Sequence, residues 1–298
     1  MVLPMMLPRF EFEAPQDLEA ACGLLAEAGD EARLMAGGTD LLVKLKRHDL
    51  TARLVVSLAR LPDMDRVEAG DGGAVRVGPL CTMRALSESE ALQGALASLA
   101  EGAGAVGGPL IRNRATVGGN IVNARPCADT VPPLMSLGAE LELESAAGKR
   151  SAPLDGFITG PGQSRIRPGE ILTGITLPAP GGPAGSCYLK RTRRCAMEVT
   201  NVGAAAAVVL DDKGDIKRAG IVLTSVAPVL LRVPEAEATL AGVLPDEANL
   251  RAAAVKAREA VKPIDDQRSS AAYRKQMVEV LTFRALQIAV NRALGRTS

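Results

Sequence analysis

Two short runs hold most of the residues in this 298-residue chain whose types and spacing could do chemistry. The longer is Arg112-Asn113-Arg114-Ala115-Thr116-Val117-Gly118-Gly119-Asn120-Ile121-Val122-Asn123, followed at once by Ala124-Arg125-Pro126-Cys127-Ala128-Asp129-Thr130-Val131-Pro132-Pro133. Gly118 and Gly119 remove two side chains beside a hydroxyl and two amides, which predicts bare backbone N–H groups facing a guest. Glycine permits positive φ and close backbone approach, and successive N–H groups in such a turn form an anion-binding concavity. A phosphate or diphosphate is the natural guest. The shorter run, Leu34-Met35-Ala36-Gly37-Gly38-Thr39-Asp40-Leu41-Leu42, repeats the design. Two such loops suggest one ligand gripped from two sides.

Each feature also has a plainer reading. Taken alone, Gly37-Gly38 is first of all a β-to-α turn. No G-x-G-x-x-G follows the strand-like residues 33–36, and no Gly-Lys-Ser/Thr occurs, so a nucleotide would be held by neither the Rossmann nor the Walker scheme. Asp129 sits in a Pro-rich context, either as a carboxylate accepting from a ribose diol or as the N-cap of a short helix that follows. Lys190-Arg191-Thr192-Arg193-Arg194 reads as a solvated strand face, with a reach back toward a phosphate or ring as the sharper alternative. Cys127 has no His near it in sequence and reads as an idle thiol rather than a nucleophile. His48, the single His, follows Lys46-Arg47 at a helix end, and no G-x-S-x-G is present, so hydrolase chemistry is set aside.

Length and composition narrow the class. The chain is long enough for two domains with cores of their own, and with 2% aromatics and no Trp those cores must be aliphatic and Ala-rich. A net charge of +1 with interspersed signs argues against nucleic acid and anionic membrane as partners. No apolar run reaches the roughly 18 residues of a membrane span, and the N-terminus, with two prolines and no basic leader, does not support a signal peptide. Five cysteines, Cys22, Cys81, Cys127, Cys187 and Cys195, make no C-x-x-C pair and suit a reducing, cytoplasmic compartment. With one His, a metal site within this chain is not expected.

The elements that must position the two loops follow from periodicity and caps. Asp17 is expected to cap a helix that Gly29 stops near Ala28. A strand at residues 33–36, a turn at Gly37-Gly38 and a helix from an N-cap at Thr39 to about Lys46 come next. Residues 54–58 read as a strand, 66–69 and 74–77 as a hairpin, and Thr82 opens a helical region before a stronger helix at 91–103. A short helix at 131–137, a half-buried strand at 139–144, a loop at 155–168 and a strand at 170–177 complete the first part. The Pro/Gly run 178–183 is the best boundary. Beyond it, strands at 187–193, 203–210 and 216–224 precede helices at 234–241, 245–261 and 269–294, an α+β arrangement.

Read in order, Ala36-Gly37-Gly38-Thr39-Asp40-Leu41-Leu42, Arg112-Asn113, Thr116-Val117-Gly118-Gly119-Asn120-Ile121 and Ala128-Asp129-Thr130-Val131-Pro132-Pro133-Leu134 resemble the FAD-binding medium subunit of the molybdenum hydroxylases. Xanthine dehydrogenase and aerobic carbon monoxide dehydrogenase belong to that family. Gly169-Glu170-Ile171-Leu172-Thr173-Gly174-Ile175 and Tyr188-Leu189-Lys190 with Arg193-Arg194 agree, so the resemblance covers essentially the whole chain. It implies an α+β fold: a two-part FAD-binding domain of the vanillyl-alcohol-oxidase (PCMH) type over residues 1–177, split near 58–65, and a C-terminal α+β domain of three strands and helices over 178–298. Met35, Ala36, Gly37, Gly38, Thr39, Asp40 and Leu41 on one side, and Thr116, Val117, Gly118, Gly119 and Asn120 on the other, would hold FAD. Backbone N–H groups and the Thr hydroxyls would take its diphosphate. By the same resemblance Asn123 and Asp129 would hold polar groups of the cofactor, Asp129 on the adenosine ribose, while Leu172 would line the pocket and Lys190 would lie near the flavin.

The family further implies an electron-transfer subunit. Its partners would be a large subunit carrying molybdopterin and a small subunit carrying 2Fe-2S clusters, with NAD or another molecule as acceptor. Three departures stand out. The arginine run 191–198 lacks the Asp usual after the arginines, Asp40 replaces other polar residues, and no Cys-rich insertion of the 4-hydroxybenzoyl-CoA reductase kind is present. Two rival readings are a stand-alone FAD-dependent oxidoreductase of the same flavin fold, for which this chain offers few substrate-binding aromatics, and a cofactor-free partner-binding subunit, against which both intact glycine loops argue.

Overall fold

The computed structural model describes residues 6–194 and 197–296. The expectations placed on the first five residues and on Cys195 lie outside these. In chain order the elements begin with β1 (Glu11–Glu13), α1 (Leu18–Ala28), β2 (Ala32–Met35), α2 (Leu41–Lys46) and β3 (Leu54–Ser57). Asp17 caps α1 by accepting from the Ala20 N–H at 2.7 Å, and Gly29 ends it at φ 52°, as the sequence predicts. The three strands form a parallel sheet in the order β1-β3-β2. Buried Leu54, Val55 and Val56 make β3 its centre, and α1 packs its Ala21, Cys22 and Leu25 against the same apolar cluster.

The next unit runs through β4 (Val67–Ala69), β5 (Val75–Val77), the helices α3 (Met83–Ser87), α4 (Ala97–Gly104), α5 (Pro109–Arg112), α6 (Val117–Val122) and α7 (Val131–Ser136), then β6 (Glu140–Ser145), β7 (Gly148–Pro153), β8 (Ile158–Gly160), β9 (Gln163–Ser164) and β10 (Ile171–Leu177). Its antiparallel sheet has the order β4-β5-β10-β6-β7. The alternation of Leu141 and Leu143 with glutamates puts both leucines in the core opposite Ile175 and Leu172. The helix expected over 91–103 is shorter: a 3-10 turn at Gly94–Leu96 precedes α4. The expected loop 155–168 holds the small β8-β9 hairpin. Besides that hairpin, β1 and β7 also have no sequence forecast. Both are polar edge strands, β7 reading Gly-Lys-Arg-Ser-Ala-Pro, and charge on an edge is what keeps it from pairing with another chain.

Residues 178–183 connect β10 to β11 (Ala184–Arg191), which is followed by β12 (Val202–Leu210), β13 (Ile216–Thr224), β14 (Leu231–Arg232), α8 (Pro234–Ala238), α9 (Glu247–Ala260) and α10 (Ala271–Ala293). The strands form an antiparallel sheet in numerical order, with β14 a two-residue edge beyond the three expected. All nine residues of β12 are buried, because both faces are covered. Val202, Ala204, Ala206, Val208 and Leu210 meet the α9–α10 core, and the other face turns toward α7 and α4. Alanine at these positions lets helices approach the sheet closely on both sides. Among the described residues no helix is long and apolar enough to cross a membrane.

Candidate functional site

The first glycine loop leaves the parallel sheet where Met35 pairs with Ser57. Gly38 turns the chain at φ 75°, a conformation that costs a residue with a Cβ. Gly37 is needed for another reason: a Cβ there would overlap the carbonyl oxygen of Arg114, so the two loops touch backbone to backbone. Among the described residues the N–H groups of Gly37, Gly38, Thr39 and Asp40 find no acceptor. Helix α2 starts one residue later than expected, with Asp40 rather than Thr39 at the N-cap and no side-chain cap bond.

The second loop is built differently. Thr116 caps α6, its Oγ1 accepting from the Gly119 N–H at 3.2 Å. The Val117 N–H donates to the Cys81 carbonyl at 3.0 Å, that of Gly118 to the Pro79 carbonyl at 2.8 Å, and that of Asn120 to the Thr116 carbonyl at 3.0 Å. The expectation of bare amides at this loop is therefore corrected, since the segment 79–81 and the helix turn use all four. Gly118 packs on Pro79, whose Cβ would stand 2.6 Å from a Cβ at Gly118, whereas a Cβ on Gly119 would meet only Thr116 Oγ1 at 3.1 Å. What the second loop offers is side chains. Thr130 Oγ1 donates to Asn120 Oδ1 at 2.7 Å, which leaves the Asn120 amide N–H groups as donors.

Between the loops lies a cleft of about 460 Å³. Ala36, Gly37, Gly38, Thr39, Asp40 and Leu41 line one side, Thr116, Gly118, Gly119, Asn120 and Asn123 the other, and Leu172 of β10 the floor. Apolar walls come from Leu58, Leu80, Val106, Ile111 and Ile166. This is the usual make-up of a small-molecule site, largely apolar with a few polar groups placed to orient the guest. Lys44, which sequence reasoning missed, also lines the cleft, and its Nζ donates to Asn123 Oδ1 at 3.1 Å. Its only sequence signal is a position one helical turn after Asp40.

Four expected residues stand behind the lining. Met35 lies under the first loop and Val117 is wholly buried. Asp129, 7% exposed, accepts on Oδ1 from Tyr188 Oη at 2.7 Å and Thr200 Oγ1 at 2.6 Å, and on Oδ2 from Lys190 Nζ at 3.0 Å. Lys190 Nζ also donates to the Ala105 carbonyl at 2.6 Å. Burial pushes the Asp129 carboxyl up, against the pull of Lys190 and the two hydroxyls, and burial beside Asp129 pushes the Tyr188 phenol well up. The N-cap reading of Asp129 is corrected as well, because Thr130 holds that position at α7 and makes no side-chain cap. Thr200 is a further residue the sequence did not single out, and Tyr188, which stands in the Tyr188-Leu189-Lys190 run, had no role assigned to it. Their partner is distant in the chain. A second tie lies nearby: Glu101 accepts from the Tyr188 N–H at 2.6 Å and from Arg292 Nη2 at 2.7 Å.

Among the described residues no thiol is activated. Burial pushes Cys81 up to about 11 and Cys187 up to about 12, and it raises Cys127 together with the Asp129 charge, the opposite of what a nucleophile needs. Among the described residues no group of three His, Cys, Asp or Glu side chains could hold a metal.

Residues 8–180 match the model of the FAD binding domain in molybdopterin dehydrogenase, and residues 187–289 match the CO dehydrogenase flavoprotein C-terminal domain. The chain is 32% identical over 280 residues to a xanthine dehydrogenase FAD-binding subunit of Escherichia coli O157:H7, covering 94% of this chain and 95% of that one. It is 32% identical over 286 residues to the carbon monoxide dehydrogenase medium chain of Hydrogenophaga pseudoflava, covering 96% and 98%. A solved carbon monoxide dehydrogenase from Hydrogenophaga pseudoflava, in a form lacking the Mo-pyranopterin moiety of its molybdenum cofactor, superposes with a TM-score of 0.89 at 31% identity over 96% of this chain and 99% of that one.

Proposed function

Because this chain belongs to the family of FAD-binding subunits of molybdenum hydroxylases of the xanthine and carbon monoxide dehydrogenase type, we propose that it carries electrons from 2Fe-2S clusters on a small partner subunit, through FAD in the cleft, to NAD or another acceptor. A large partner subunit with molybdopterin would oxidise the substrate. The observation that carries this reading is the row of four N–H groups, Gly37, Gly38, Thr39 and Asp40, that find no acceptor among the described residues, at the edge of a largely apolar cleft. Such a donor row fits a diphosphate, and the apolar walls fit the ring systems on either side of it.

FAD would supply the redox chemistry, accepting and releasing electrons, while the protein binds, orients and shields it. In this reading the first loop donates to the diphosphate, Thr116, Asn120 and Asn123 contribute polar side chains from the second, and Leu172 closes the floor. Met35, Val117, Asp129 and Lys190 hold those walls from behind. The division into units at about residues 58–65 and 178 and a cytoplasmic location complete the reading, the latter supported by Cys22, Cys81, Cys127 and Cys187 all being free thiols.

Purified chain or complex should show a flavin visible spectrum and release FAD on denaturation. Gly119→Val should abolish FAD retention while costing no more than about 1 kcal/mol of stability, since Gly119 lines the cleft, glycine is the poorer helix former and a Cβ there meets only the Thr116 hydroxyl, at 3.1 Å. Colourless protein that takes up no FAD on reconstitution would overturn the reading.

A further inference from the structure

Resting on the FAD reading, we propose that Lys44 is a cofactor-binding residue, the cation that faces the diphosphate, held in place by Asn123. The second glycine run carries Arg112, Arg114 and Arg125, but none of them lines the cleft, and Arg112 donates to the Val106 and Gly107 carbonyls instead. The residues lining the cleft include one cation, Lys44, and one anion, Asp40, which lies one helical turn before it on α2. Charge on the cleft is thus balanced when it is empty of ligand. A diphosphate adds two negative charges within reach of the Asp40 carboxylate, and the four N–H groups of the first loop bring only partial charge against them.

Lys44 is placed to answer this. Its Nζ reaches from α2 on one wall to Asn123 at the end of α6 on the other. Among the described residues Asn123 is its one hydrogen-bond partner, and no carboxylate lies within salt-bridge distance. An ammonium has three donors, so a single bond to a neutral amide oxygen fixes the group while two N–H donors and the full charge stay available. Had Lys44 paired with Asp40 at the i, i+4 spacing, that charge would be spent. The Asn123 tether keeps the two apart.

A rival role is purely structural, with Lys44 as a strap between α2 and α6. Lys44→Gln separates the two, because glutamine can still donate to Asn123 but carries no charge. Full-length protein stripped of flavin is titrated with FAD and with riboflavin, which lacks phosphate, by quenching of flavin fluorescence at about 20 mM and about 0.5 M salt, where screening differs strongly. We expect Lys44→Gln and Lys44→Met to weaken FAD binding about tenfold or more at low salt, the loss of one charge-assisted hydrogen bond. Riboflavin binding should stay within about twofold in the same titration, because no charged contact is removed from it. FAD binding by these variants should lose most of its salt dependence, and Lys44→Arg should restore most of the affinity. FAD affinity unchanged in Lys44→Gln would overturn the inference, as would FAD and riboflavin falling in parallel. If Lys44→Met fails to fold, Lys44→Gln decides alone. Wild-type protein that binds neither flavin would overturn the FAD reading and this inference with it, whereas wild-type binding with no effect of Lys44 overturns this inference only.

Discussion

The two glycine loops look alike in sequence and do opposite things with their backbones. In the first, residues 37–40 hold out four N–H groups with no acceptor among the described residues, and Gly38 turns the chain through positive φ. In the second, residues 117–120 spend every N–H group on Cys81, Pro79 and Thr116, and Gly118 is there so that Pro79 can lie against it. The first loop is a donor surface, and the second is a braced helix start that contributes side chains. A Gly-Gly pair therefore signals that something comes close to the backbone, without saying whether that is a ligand or the protein itself.

The largest expected effect strikes the brace. Asp129→Ala removes a buried carboxylate that serves three donors and leaves Lys190 unpaired, which should cost about 3–5 kcal/mol in denaturant unfolding. If FAD were lost with the unfolding midpoint unchanged, Asp129 would instead be a direct ribose ligand, and the contrast between bracing and binding residues would fail at that point. Next comes Gly37→Ala. Its methyl group meets the Arg114 carbonyl, a backbone atom that cannot rotate away, so a loss near the upper end of the overpacking range, about 3 kcal/mol, is expected in thermal or chemical melts. A near-neutral result would mean that the loops part easily and that their contact does not define the cleft.

The third test leaves both loops alone. Glu170, two residues before Leu172, accepts from Arg150 Nε at 2.6 Å and Nη2 at 2.7 Å and from the Arg167 N–H at 2.7 Å. The Arg150 hydrogen bonds hold its carboxyl below the usual range, with burial opposing and the Arg167 N–H assisting. A depressed carboxyl stabilises the fold above its ordinary pKa and loses that contribution as pH falls through the folded value. Glu170→Gln should therefore cost about 2 kcal/mol at neutral pH, with the gap to wild type closing below about pH 4. Flavin affinity at neutral pH should be unchanged. A gap that persists in acid would show that packing, not the charge pair, is what Glu170 provides.

Much of the fold is legible because its signals are local. Asp17 and Gly29 bracket α1 within one helix length, and the Leu-Glu alternation of β6 states its own burial. The strands and helices after residue 184 follow the same logic. The site is legible in its membership but not in its wiring. Lining residues such as Thr39, Asn120 and Leu172 sit in recognisable runs, yet three of the four acceptors that fill the second loop are carbonyls, which every residue has, so no side-chain pattern announces them. Asp129 meets Tyr188 and Thr200 across 59 and 71 positions of chain, and Lys44 meets Asn123 across 79. Such pairs are fixed by how sheets stack. The polar edge strands β1 and β7 were invisible for a related reason, since an edge needs no hydrophobic alternation to pair on one side.

The bond from Thr200 to Asp129 also bears on the order of events during synthesis. A chain emerges from the ribosome N-terminus first, and domains tend to fold as units in that order. Both glycine loops are out early, but the residues that brace Asp129 come from β11 and the segment after it. The nascent N-terminal part thus has its donor loop long before its braced wall. In the reading proposed above, tight loading of FAD would then wait until Tyr188 and Thr200 have emerged to brace Asp129.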